Sequence, residues 1–122
     1  MTVFCCSETD CNCEVIERIL QLSSKAALWI SSESREMFDN YPSDHLNISD
    51  EYMSEAAKDD FCFTTSIDDI CKHEDRIEMV IFYRYKGEAD YSENLRNRFL
   101  IKSDSFENGR RELIKEEFFV RR

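Results

Sequence analysis

The chain has 122 residues, 42% of them hydrophobic and 34% charged, and a formal net charge of −10. That length fits one domain spanning 1–122 with a self-standing core, and the apolar content excludes a disordered chain. The acidity argues against direct nucleic-acid binding, because phosphates would be repelled, and the lack of a run of about 18 apolar residues leaves nothing to span a membrane.

The first residues, Met1-Thr2-Val3-Phe4, lack the basic and apolar regions of a signal peptide, so the expectation is a cytoplasmic protein whose six cysteines are reduced. Four of them fall in "FCCSETDCNC". Zinc would need four converging ligands, and Cys5-Cys6 followed by Cys11-x-Cys13 is a poor clamp, which Cys71 and His73 could complete only if the fold brings them near. Acylation lacks a second, basic signal and is opposed by Glu8, Asp10, Glu14 and Glu17. Redox chemistry is opposed by the same carboxylates, which raise thiol pKa values. The reading is therefore ordinary thiols, with no metal and no cofactor. Residues 1–9 are expected to be a flexible segment, since termini fray unless tied down. Cys62, between Phe61 and Phe63, is expected in the core.

Ile16, Ile19, Leu20, Ser23, Ala27, Ile30, Met37, Phe38 and Tyr41 recur at three- and four-residue steps, the stripe of an amphipathic helix. Asp10 or Asn12 can cap it, Ser31-Ser32 can divide it and Pro42 ends it. A second helix is expected from Asp50 to about Asp60. Phe61 to Thr65 reads as a short strand, and Ser66 with Asp69 as a helix-opening capping box.

Arg76 to Lys86 is the strongest strand. Ile77, Met79, Ile81, Tyr83 and Tyr85 share one face, and Val80 and Phe82 make the other apolar too, as in a central strand buried on both sides. A polar connection, 87–94, leads to a strand over 98–102. The Asn108-Gly109 pair then predicts a hairpin turn into a strand over 110–120, with Phe99 and Ile101 facing Ile114 and Phe118; the helix-forming run Arg110 to Glu117 leaves a helix there as the alternative. The fold expected is α+β: N-terminal helices packed on a small curved antiparallel sheet, a three-stranded meander plus one short strand.

The stretch "RIEMVIFYRY…NRFLIKSDSFENGRRELIKEEFFVRR" resembles the nuclear-transport-factor-2-like superfamily, in which a curved sheet wraps N-terminal helices. The resemblance implies a cone whose pocket would be lined by Tyr83, Tyr85, Phe99 and Trp29, with Asp39 or His45 as acid–base groups.

Residues 1–60 carry 13 acids and 4 bases, against 13 acids and 12 bases in 61–122. No nucleophile–base constellation or glycine-rich phosphate cradle accompanies them. The leading expectation is a non-enzymatic, acidic protein-binding domain, an inhibitor, immunity-type or virus-accessory protein that covers a basic surface of a partner. The partner-binding acids are Glu33, Glu36, Asp39, Asp44, Asp50, Glu51, Glu55, Asp59 and Asp60. A homodimer through the sheet is also open to it. The alternatives are a cone-shaped ligand binder or enzyme, and a zinc adaptor built on the N-terminal cysteines.

Overall fold

The computed structural model describes residues 1–6, 11–41, 43–85, 99–107 and 113–121. In chain order they form β1 (Thr2–Cys6), α1 (Cys13–Leu22), β2 (Leu28–Ile30), α2 (Arg35–Phe38), β3 (Leu46–Ile48), α3 (Tyr52–Glu55), β4 (Phe61–Thr64), α4 (Ile67–Lys72), β5 (Met79–Tyr85), β6 (Phe99–Glu107) and β7 (Leu113–Arg121). Short 3-10 turns at Ser32–Ser34 and Glu74–Arg76 precede α2 and β5.

The seven strands make one sheet in the order β3-β2-β4-β1-β5-β7-β6. The pairs β2/β3, β2/β4, β1/β4 and β1/β5 are parallel, and β7 is antiparallel to both β5 and β6. Helices and strands are mixed as expected, but the small antiparallel meander is overturned. The sheet is large and mainly parallel, and β7 rather than β6 pairs with β5, in the register Met79↔Val120 to Tyr85↔Ile114. The strand expected near the C-terminus is present as β7, paired with β6 from Phe99↔Arg121 to Glu107↔Leu113. The Asn108–Gly109 turn, Asp10, Pro42 and the 87–94 connection lie outside the described residues.

Alternate residues of β1 enter opposite cores. Val3 and Cys5 join Tyr52, Met53, Ala56, Cys62, Ile70, Val80, Phe82 and Phe119 on the face covered by α3 and α4. Phe4 and Cys6 join Val15, Ile16, Ile19, Phe38, Phe63 and Tyr83 on the face covered by α1 and α2. Val3, Phe4, Cys5 and Cys6 are all at most 1% exposed. A strand buried on both faces has no polar alternation to announce it. The expected loose segment over 1–9 is therefore corrected for residues 2–6, which form the central strand. Residues 7–9 lie outside the described residues.

The helical stripe expected to run through Ile16–Tyr41 is corrected as well. Asn12 does cap α1, its Oδ1 accepting from the Val15 N–H at 3.0 Å, and Glu14 sits in the first turn. But α1 stops at Leu22, and Leu28-Trp29-Ile30 is a parallel strand. The apolar spacing of 3 and 4 continued across a helix, a turn and a strand, so periodicity could not mark the boundary. The expected helix over 50–60 contracts to Tyr52–Glu55. Ser66 caps α4 as expected, its hydroxyl accepting from the Asp69 N–H at 3.2 Å.

Charged groups fasten the two layers to the sheet. Arg18 of α1 grips Glu116 of β7 in a two-pronged pair, Nε to Oε2 at 2.9 Å and Nη2 to Oε1 at 3.0 Å, and the Tyr83 hydroxyl donates to the same carboxylate at 2.8 Å. The next residue, Glu117, lies opposite Phe82 in the β5/β7 register and accepts from Arg84 Nε at 2.7 Å. Buried acids need such partners, because an uncompensated buried charge is strongly destabilising. On the α3 side, the Arg76 guanidinium donates to the carbonyls of Met53, Ser54 and Ala56, closing the C-terminal end of α3.

Two tests follow from the placement of the thiols. Cys5→Ser and Cys6→Ser should each cost about 1–3 kcal/mol in urea unfolding, because each replaces a fully buried thiol with a more strongly hydrated hydroxyl. Cys11→Ser and Cys13→Ser, with the thiols half-buried and exposed, should stay within about 0.5 kcal/mol. Equal effects at all four would refute the central position of β1. The second test is alkaline. Burial, helped by the nearby Cys11 thiol, pushes Cys5 up from 9.0 to about 12, and burial pushes Cys62 up to about 12. An unfolded chain ionises these thiols first, so their contribution is intact below pH 9 and is lost as pH rises from about 9 towards 12. The urea midpoint should fall across that window, and a Cys5→Ala/Cys62→Ala variant should lose less.

Candidate functional site

The segment 28–60 carries nine acids against two bases, Arg35 and Lys58. It comprises β2, β3 and the two connections that flank β3. β3 is the strand at one end of the sheet. The connection into β3 bears α2, whose Phe38 fills the α1 face, and the connection out of it bears α3, whose Tyr52 and Met53 fill the opposite face. Asp44, Asp50 and Glu51 flank β3 directly, whereas the carbonyls on either side of Glu55 are held by Arg76, just before β5.

Glu33, Glu36, Asp39, Asp44, Asp50, Glu51, Glu55 and Asp59 are exposed, and Asp60 is half-buried. Glu33, Glu36 and Asp39 belong to the 3-10 turn and α2 or border them, and Glu55 closes α3. Asp44 precedes β3, and Asp50 and Glu51 follow it.

Two of the nine are structural struts. Asp50 Oδ1 accepts from the Ser32 hydroxyl at 2.5 Å and from the Ser32 N–H at 3.3 Å, tying the exits of β2 and β3 together. Those bonds hold its carboxyl below the ordinary aspartate value. Asp60 Oδ2 accepts from Trp29 Nε1 at 3.1 Å and from the Ala57 N–H at 2.8 Å, fixing the turn that feeds β4. The other seven remain as an exposed acidic surface.

β3 itself is an edge strand. The Leu28 N–H donates to the His45 carbonyl at 2.8 Å and the Ser49 N–H to the Ile30 carbonyl at 2.9 Å, so His45, Asn47 and Ser49 turn their backbone toward β2. By alternation, Leu46 and Ile48 turn theirs away. Ile48 is 46% exposed, one of three large apolar side chains so placed among the described residues. The sequence marks the acids but not this edge. Its signal was slight: one apolar–polar–apolar alternation.

Other candidates are placed as follows. His45 links α1 to the entry of β3. Ser23 donates to the Ile19 carbonyl at 2.8 Å, so its oxygen accepts from His45 Nε2–H at 2.9 Å, and Nδ1 is hydrogen-bonded with the Ser43 hydroxyl. His73 Nδ1–H donates to the Asp69 carbonyl at 3.0 Å. Tyr83 is buried in the α1-side core while Trp29 packs on the α3 side, so the two do not line one pocket. The side chains of Tyr85 and Phe99 lie outside the described residues. Cys5 and Cys6 enter opposite cores, so these neighbours cannot converge on one ion. Among the described residues, no group of three or more His, Cys, Asp or Glu is placed to hold a metal, and no helix is long and apolar enough to cross a membrane.

The chain matches no model of a known protein family and no curated protein in sequence comparison.

The division between struts and free acids is measurable. Asp60→Ala strips two hydrogen bonds from a carboxylate and should destabilise by about 1–3 kcal/mol, with a change in Trp29 fluorescence. Glu36→Ala and Asp39→Ala should stay within about 0.5 kcal/mol of the parent. A loss as large at Glu36 as at Asp60 would mean that the acidic surface is part of the scaffold.

Proposed function

We propose that this protein is a non-enzymatic binding module that covers a basic surface of a partner protein with the acidic end of its sheet. One observation carries the reading: exposed Glu33, Glu36, Asp39, Asp44, Glu51, Glu55 and Asp59 all lie on the two connections that flank β3. Acids serving solubility alone need not concentrate in one part of a chain. Collected there, they produce a field that steers a cationic partner and sets its orientation. An inhibitor or accessory protein that occludes a basic site fits this surface.

The test is salt and charge reversal. A complex formed through these acids should weaken steeply between about 50 mM and about 500 mM salt, as the screening length contracts from about 14 to about 4 Å. Replacing Glu33, Glu36, Glu51 and Glu55 together by lysine should abolish capture of the partner while leaving the thermal midpoint close to the parent's, since none of the four side chains is in the core. A partner held equally at both salt concentrations, or retained by the reversed variant, would overturn the reading.

A further inference from the structure

The acids explain attraction but not how a partner would be held in register. The strand between them supplies that. Toward β2, the backbone of β3 is occupied from the His45 carbonyl to the Ser49 N–H. On its other side the Leu46 N–H closes a turn onto the Ser43 carbonyl at 3.4 Å. That leaves the Leu46 carbonyl and the Ile48 N–H and carbonyl directed away from the sheet. Backbone groups aimed outward in this spacing are a template for one further strand.

We propose that β3 is a strand-addition site: an extended, basic segment of the partner pairs with Leu46–Ile48 as an eighth strand. This deepens the binding reading above and rests on it. The chemistry of the occupant follows from the residues around the edge. Ile48, 46% exposed, asks for an apolar or β-branched side chain beside it. Asp44 lies before the strand and Asp50 and Glu51 after it, so the occupant carries Lys or Arg at both ends. Only Leu46–Ile48 is extended, about 7 Å of chain from the first residue to the last, so the occupant's basic residues flank a short pairing stretch. The same acids would repel a second copy of this acidic surface, so the edge selects a basic strand over itself.

The probe is the synthetic peptide Lys-Lys-Val-Thr-Val-Thr-Val-Lys-Lys, compared with the same sequence N-methylated on alternate backbone amides, which keeps its charge but cannot pair as a strand. Binding is read by fluorescence anisotropy, and amide exchange of the protein by NMR. Expected are binding of the unmodified peptide, loss of binding on N-methylation, and at least about tenfold slower exchange at the Ile48 amide in the complex. Ile48→Pro removes only an outward N–H and should weaken the peptide at least about tenfold, whereas Ile48→Val should stay within about twofold. If Ile48→Pro disturbs the fold, seen by circular dichroism, the N-methylated peptide and the exchange data still decide. Failure of the peptide to bind, equal binding of the N-methylated form, or an unprotected Ile48 amide overturns the inference. Binding abolished by the four lysine reversals but untouched by Ile48→Pro would reject strand addition and keep the acidic surface. Binding abolished by Ile48→Pro but indifferent to salt and reversal would reject the acidic surface and keep the strand.

Discussion

Burial of β1 on both faces is the constraint from which the rest of the architecture follows. The strand lies between β4 and β5, parallel to each, and its residues alternate between two cores. Neither face can be left open, so the chain must supply helices to both. It does so in sequence order: α1 and α2 on the Phe4 and Cys6 side, then α3 and α4 on the Val3 and Cys5 side. Parallel neighbours need crossover connections rather than tight hairpins, and the helices are those connections. With only two glycines in the chain, turns between the first five strands are closed by side chains instead, as Asn12, Ser66, Asp60 and Arg76 show.

The same alternation governs β7. Glu116 and Glu117 are adjacent acids, 3% and 2% exposed, directed to opposite faces of the sheet. Each is matched by a cation on its own side, Arg18 and Arg84. The Arg18 pair joins the first helix to the last strand, so α1 is anchored by a contact 98 residues away in sequence. Such pairs add less to net stability than apolar side chains of the same size would, but removing either partner leaves a charge without compensation. They fix which strand lies beside β5.

The acidic end is a consequence of topology as much as of composition. β2 and β3 extend the sheet away from β1, and both connections that flank β3 are acid-rich. An ordinary soluble protein would spread those charges. Here two of them, Asp50 and Asp60, brace the turns at either end of the strands, and the remainder are exposed. On the proposed reading, a short edge flanked by acids resists pairing with its own kind and favours a strand of the opposite sign.

Much of the local structure was legible in the residues. The Asn12 and Ser66 caps, the short strand at Phe61, the buried Cys62 and the doubly apolar strand at Met79–Tyr85 all depend on neighbours within a few positions. The acids of the candidate site were legible too, because charge is counted and not folded. What the sequence could not disclose was which segments become parallel strands. "TVFCC" and "LWI" are strands only because long-range partners, Phe61↔Leu28 and Thr2↔Met79 among them, complete their hydrogen bonds. A strand of three to five apolar residues has no period long enough to distinguish it from a helix turn or a terminal tail. The order β5-β7-β6 was likewise invisible, since an antiparallel strand arriving after β6 can pair with either neighbour. Residue chemistry determined a helix-and-strand protein with an acidic half. Tertiary pairing, which sequence distance conceals, made β1 the centre of the sheet and left β3, between two acid-rich connections, at its edge.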